Sequence, residues 1–290
     1  MARAVRSGRM STTGVTAAWY RCPVPRPAAQ VRLMCFPHGG GSATAYWNWP
    51  ALLPETVELH AVQYPGHTDR IAEPLHTDLH ALADAAADAA RPLLDRPVVL
   101  YGHSLGALAA YETARRLLAA GHPPLRLIVS GMPPPHRVRP GRVHLGSDRE
   151  LIAELRRLEG VPDEVLAHPD LLDLVLRTAR ADYALAETYV QPAGPAPDLP
   201  LTVHRATGDP ELTADEAADW TAATTGPVRH RTFSGGHFHL ADEPAPVLLE
   251  LVDDLVSDMS APRRPSRPAW MGTTATAVPP RLAQGTGRPS

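Results

Sequence analysis

Gly102-His103-Ser104-Leu105-Gly106 constrains this chain more than any other segment. The G-x-S-x-G pattern is weak by itself, but its setting is specific. The apolar, β-branched run Val98-Val99-Leu100-Tyr101 precedes it, and a helical pattern over 105–120 follows. A serine between a strand and a helix, with small residues on both sides, predicts a nucleophile elbow. That turn is tight enough to need glycine neighbours, and it exposes the serine hydroxyl beside the free N–H groups of a helix start. Ser104 is therefore the candidate nucleophile.

An elbow of this kind needs a parallel sheet around it, and the chain supplies the pattern. Runs at 31–37, 57–64, 97–101, 125–130, 201–206 and 228–233 read as strands, and several are short, β-branched and apolar, which suits burial on both faces. Helical patterns at 78–94, 105–120, 213–224 and 245–256 alternate with them. Thr213 followed by Glu216 predicts a capping box at one helix start. The alternation predicts an α/β fold, with a mostly parallel central sheet flanked by helices. Between 130 and 201 no strand is expected. Pro133, Pro134 and Pro135 open this stretch, and helical segments follow at 147–157, 162–167 and 171–189. An insertion after a strand end lies on the rim where open sheets bind ligands, so a helical lid is expected over about 133–195. Residues 1–18 read as a disordered leader, 19–260 as the catalytic domain, and 261–290 as a disordered Pro/Arg-rich tail.

A serine hydroxyl needs a base, and the base needs an orienting carboxylate. The chain has 14 histidines, so position must choose among them. His237 follows Gly235-Gly236 at the end of the last strand, on the same rim as the elbow. Asp209 follows the strand at 201–206, with Glu211 as the neighbouring alternative. The order Ser104, Asp209, His237 is that of α/β-hydrolases. His38-Gly39-Gly40-Gly41 follows the first strong strand and suits an oxyanion loop, with the backbone N–H groups of Gly39 and Leu105 as donors. His103 is expected to pack beside the site rather than act as its base. Trp47 and Trp49 are candidates for either a pocket wall or the core.

Composition removes other classes. All 28 basic residues are arginine, which excludes Schiff-base and P-loop lysine chemistry. The 290 residues carry a net charge of −3, so neither a nucleic-acid surface nor a polybasic membrane anchor is expected. Only Cys22 and Cys35 are present, so no disulfide framework is expected, and Cys35 reads as a core thiol. No apolar run is long enough to span a membrane, and Arg3, Arg6 and Arg9 precede no signal-peptide core. The expected location is the cytoplasm. Met10 offers a second translation start. No metal spacing is found and no cofactor is expected.

Four segments together resemble the type II thioesterases, the stand-alone editing enzymes of polyketide and nonribosomal peptide synthesis. They are Cys35-Phe36-Pro37-His38-Gly39-Gly40-Gly41-Ser42-Ala43; Gln63-Tyr64-Pro65-Gly66 with Asp69-Arg70 and Glu73-Pro74; the elbow; and Phe233-Ser234-Gly235-Gly236-His237-Phe238. The likeness covers roughly residues 19–256. It implies an α/β-hydrolase with a lid that hydrolyses acyl groups from the phosphopantetheine arm of an acyl- or peptidyl-carrier protein. It implies Ser104, His237 and Asp209 as the triad, and the backbone at Gly39 and Leu105 as the oxyanion hole. Asp209-Pro210, with Glu216-Ala217 and Trp220, fits the family's register and favours Asp209 over Glu211. Some residues depart from the family pattern: His67 stands for an arginine, His239 for a phenylalanine and Gly39 for the frequent alanine. Ala206 stands where a glycine is usual. The enzyme is expected to be a monomer. A serine esterase or lipase acting on small free esters is the alternative reading, and a non-catalytic carrier-docking module is a further one.

Overall fold

Among the described residues, seven strands form one mixed sheet. The structure, a computed structural model, describes residues 12–161 and 163–260. The strands are β1 (Tyr20–Arg21), β2 (Val31–Phe36), β3 (Val57–Val62), β4 (Val98–His103), β5 (Arg126–Ser130), β6 (Leu201–Ala206) and β7 (Val228–Phe233), and they lie side by side in the order β1-β3-β2-β4-β5-β6-β7. Only β1 runs antiparallel, against β3; the other pairs are parallel. The helices are α1 (Thr12–Trp19), α2 (Leu79–Ala90), α3 (Leu105–Ala119), α4 (Asp148–Arg157), α5 (Asp163–Leu166), α6 (Pro169–Glu187), α7 (Ala214–Asp219), α8 (His239–Asp242) and α9 (Pro244–Ser260).

Strand alternation builds a core on each face of the sheet. On β2, Met34 and Phe36 join the apolar cluster beneath α2 and α3, while Leu33 and Cys35 join the cluster that includes Val247, Leu248 and Leu251 of α9. Both faces are covered, which is why β2, β4 and β5 are buried along their whole length. The chain leaves β2 for β3 on one side and then crosses back to β4 on the other. The loops after β2 and β4 therefore separate at one point of the C-terminal edge, where an open sheet offers a binding crevice. The glycine loop and the elbow are those two loops.

Residues 12–18 correct the expected leader. They belong to α1, which ends at the buried Trp19. The Thr16 hydroxyl donates to Ala89 O at 2.8 Å and the Tyr20 hydroxyl to Ala86 O at 2.9 Å. These anchors lie on α2, far along the chain, so local pattern does not announce them. The short strand β1 was not expected either, and it rests on the same docking. The disorder expected for 1–11 and 261–290 lies outside the described residues.

Other boundaries shift for local reasons. The helix expected over 78–94 stops at Ala90 and tightens into a 3-10 turn over Arg91–Leu93, because Pro92 has no N–H to continue the ladder. Thr213 and Glu216 form the expected capping box, but α7 ends at Asp219 and passes into a 3-10 turn at Trp220–Ala223. Between β5 and β6 the insertion carries α4, α5 and α6. It has a small core of its own, built on Leu151, Leu155, Leu176 and Ala179, apart from the two sheet cores.

Candidate active site

Ser104 stands between β4 and α3 with φ 53° and ψ −127°, a conformation that side-chain-bearing residues rarely adopt. Its N–H donates to Ser130 O at 2.8 Å, which ties the turn to β5. The two flanking glycines are required by contact. A Cβ on Gly102 would stand 2.1 Å from Gly106 O, and one on Gly106 would stand 2.2 Å from Phe36 O. The strand, the turn and the helix are thus pressed together, and Ser104 is left half-buried at the start of α3. Leu105 opens that helix, so its N–H has no intrahelical acceptor.

His237 and Asp209 come from the loops after β7 and β6. These loops are joined by Thr207 N–H to Phe233 O and by Gly208 N–H to Gly235 O, both at 2.9 Å. The ladder carries Asp209 against His237: Nδ1 of the ring lies 2.9 Å from Asp209 Oδ1, and both side chains are buried. Asp209 Oδ1 also accepts the Glu211 N–H at 2.8 Å. The carboxylate of Glu211 turns away to Arg157 on α4. The local turn therefore selects Asp209 over Glu211 as the partner of His237, although Ala206 replaces the glycine expected before it. Gly131 (φ 61°) leaves the room for this pair. A Cβ there would lie 2.7 Å from His103 Cε1 and 3.1 Å from both Asp209 Oδ2 and His237 Cε1. His237 Nε2 is buried without a hydrogen-bond partner among the described residues, so no bond joins it to Ser104 in this structure. Both residues line the same cavity.

The glycine loop lies over the start of α3. A Cβ on Gly39 would be 3.9 Å from the Leu105 side chain. Gly41 N–H donates to His38 O at 3.0 Å, and Gly40 N–H to Asp182 Oδ2 on α6 at 2.7 Å. The N–H of Gly39 remains as the loop's candidate donor beside that of Leu105. Other histidines surround His237 but are held uncharged. Desolvation, reinforced by His237, lowers His38 to about 4. Desolvation and the neighbouring imidazoles hold His103 well below its ordinary value. His103 lies 4.8 Å from the His237 ring and bonds the Ser130 hydroxyl at 3.0 Å, the supporting place expected of it. His239 is buried, stacks on Phe233 and is lowered chiefly by desolvation.

The thioesterase-domain family model matches residues 31–256. The chain belongs to the thioesterase family. It is 41% identical over 258 residues to the probable cadicidin biosynthesis thioesterase of Streptomyces griseus, covering 89% of this chain and 72% of that protein. It is 38% identical to thioesterase PikA5 of Streptomyces venezuelae, covering 84% and 88%. Among solved structures it is similar to the type II thioesterase BorB from the borrelidin biosynthetic cluster. That match has a TM-score of 0.76 and 41% identity, and covers 82% of this chain and 98% of the other.

The thioesterase has a cavity of about 410 Å³ between the sheet edge and the insertion. Ser104 and His237 reach it, and Met132, Val138, Leu155, Val161, Val175 and Phe238 supply much of its apolar wall. Acidic lining residues are already engaged. Glu187 accepts the N–H groups of Val143 and His144, and Glu154 and Glu211 share Arg157. Neither tryptophan raised by the sequence lines the cavity: Trp49 is buried against Tyr46 and Tyr101, and Trp47 is exposed. Sequence reasoning missed Asp182. A signal existed, since Leu176, Ala179, Asp182 and Leu185 share one buried helical face and only Asp182 is charged. Elsewhere, Cys22, Glu58 and His60 bring possible metal-ligating atoms within 4.8 Å of one another. The Glu58 carboxylate there is already held by Arg32, His60 and the Arg26 N–H. Among the described residues no helix is long and apolar enough to cross a membrane.

Proposed function

We propose that this thioesterase releases acyl groups from the phosphopantetheine arm of acyl- or peptidyl-carrier proteins in polyketide or nonribosomal peptide synthesis, using Ser104, His237 and Asp209. The observation that carries the reading is the 2.9 Å contact of His237 Nδ1 with buried Asp209, which leaves Nε2 unpartnered in the cavity that Ser104 also lines. The carboxylate fixes the tautomer in which Nε2 is the proton acceptor, and it stabilises the imidazolium that forms. Ser104 and His237 close their remaining gap when substrate fills the cavity; catalytic hydrogen bonds are commonly long before substrate binds.

His237 takes the hydroxyl proton of Ser104 as its Oγ bonds to the thioester carbonyl carbon. The carbonyl oxygen becomes an oxyanion between the N–H groups of Gly39 and Leu105. The C–S bond then breaks, and His237 returns the proton to the departing thiol. Water, deprotonated by His237, attacks the acyl-serine, and the carboxylic acid leaves as Ser104 regains its proton. These steps use side chains, backbone and water alone. The apolar wall suits an acyl chain, and the crevice at the sheet edge leaves a path for a narrow arm. The relatives' association with biosynthetic clusters supports a carrier-bound substrate over a free ester. The enzyme works as a cytoplasmic monomer in this reading.

A panel of acylated carrier proteins, acyl-pantetheines and p-nitrophenyl esters tests the proposal. Wild type is expected to prefer the carrier-bound substrates, Ser104→Ala to abolish turnover, and a fluorophosphonate to label Ser104. A preference for free esters favours the esterase reading. Full activity in Ser104→Ala overturns the mechanism.

A further inference from the structure

Asp182 is 3% exposed and sits on α6, yet its carboxylate reaches the glycine loop. Oδ2 accepts the Gly40 N–H at 2.7 Å and meets His67 Nε2 at 2.9 Å. The other ring nitrogen of His67, Nδ1, lies 3.0 Å from the carbonyl oxygen of Pro65. A carbonyl oxygen only accepts, so Nδ1 carries a proton, and facing an ionised Asp182 the Nε2 atom carries one too. His67 is 3% exposed, so the ring and the carboxylate meet away from solvent.

We propose that Asp182 and His67 are positioning residues for acyl transfer: the charge-balanced pair grips Gly40 from the insertion and holds the oxyanion loop in register. The inference rests on the proposed triad and oxyanion hole. Gly39, the candidate donor, adjoins Gly40, and a Cβ on it would stand 3.4 Å from Asp182 Cβ. An unbalanced carboxylate so near the hole would oppose the negative charge that develops on the substrate oxygen, and low polarity would strengthen that opposition. Protonated His67 cancels the field while Asp182 keeps its grip. Because Asp182 lies on α6, the same pair couples the position of the lid to the shape of the hole.

The groups facing His67 are Asp182 from α6, Tyr64 from the segment before it and Arg70 from the turn after it. Burial works against the charged ring and Arg70 adds to that, but the Asp182 carboxylate and the Pro65 carbonyl together outweigh both and raise His67 above its ordinary value. The pair is therefore intact below the ordinary histidine range and lost as pH rises through the raised value. Arg70 keeps its own charge occupied, with two bonds to Glu73 and one to Gln63 O.

The test compares pH profiles of kcat and KM on an acyl-carrier substrate for wild type, His67→Gln, His67→Arg and Asp182→Asn, with ¹⁵N NMR of the His67 ring in wild type. Wild type is expected to lose kcat on the alkaline side. His67→Arg, which cannot deprotonate there, should rescue that limb. His67→Gln should lose the limb and lower neutral kcat about tenfold, less than the ~10²–10³ of deleting an oxyanion donor, with KM little changed. Asp182→Asn should lower kcat similarly and remove the His67-dependent limb. The NMR should show both ring nitrogens protonated at neutral pH. A His67 ring neutral at pH 6, or a His67→Gln profile superimposable on wild type, overturns the pair while leaving the triad reading intact. No wild-type turnover and no fluorophosphonate labelling of Ser104 would defeat the triad reading, and the positioning role with it.

Discussion

The backbone of Gly106 presses against the carbonyl of Phe36 so closely that a methyl group would come within 2.2 Å of its oxygen and 2.6 Å of Pro37 O. This contact joins α3 to β2, and so it joins the elbow to the loop that carries Gly39. Gly106→Ala must push the two apart. Overpacking of this kind costs about 1–3 kcal/mol, seen as a lower denaturation midpoint. A shift of the proposed oxyanion hole by about 1 Å should lower kcat roughly 10²-fold. Unchanged kcat in a folded Gly106→Ala would show that the elbow does not depend on this contact.

Asp209→Asn should leave KM nearly unchanged and lower kcat by about 10⁴-fold, because an amide can hold His237 in the wrong tautomer. Glu211→Gln should lose far less, since that carboxylate serves Arg157. The reverse ranking in steady-state kinetics would assign the acid to Glu211.

Val175 lies on α6 and contributes to both the cavity wall and the small core of the insertion. Val175→Phe should shift preference towards shorter acyl groups, at a stability cost of about 1–3 kcal/mol. The readout is kcat/KM across a series of acyl chain lengths on one carrier. An unmoved optimum would place the acyl chain elsewhere.

Glu58 reports on acid stability rather than catalysis. Burial alone would raise its carboxyl, but His60, the Arg26 N–H and Arg32 together bring it down to about 2. Its contribution is thus present above the ordinary glutamate value and is lost as pH falls from there towards 2. Glu58→Gln should destabilise the protein at neutral pH by about 1–3 kcal/mol, typical of a broken buried hydrogen-bond set, and the difference should shrink steadily below pH 4. A difference independent of pH in denaturation experiments would mean that packing, not charge, is what Glu58 supplies.

The elbow was legible because its constraints are local. A strand, a turn and a helix within a few residues leave no room for a side chain at Gly102, whereas the need for Gly106 comes from β2. The places of His237 and Asp209 were legible through topology, since loops after parallel strands gather on one edge. Helix α1 was not legible, because what holds it is the backbone of α2 at Ala86 and Ala89. Trp47 and Trp49 looked alike in the sequence, yet one is exposed and the other fills the core. Their difference lies in the path of a 3-10 turn, which apolar pattern does not encode.

By itself the sequence determined the alternating architecture, the elbow and the candidate chemistry, because each follows from near-neighbour sterics or from strand order. Tertiary structure decided what depends on contacts between distant segments. It turned Asp209 rather than Glu211 towards His237, through backbone bonds between the loops after β6 and β7. It set Asp182 against Gly40, 142 residues away along the chain. A buried carboxylate can be recognised as unusual from its helical register, but its partners exist only once the insertion folds back over the sheet.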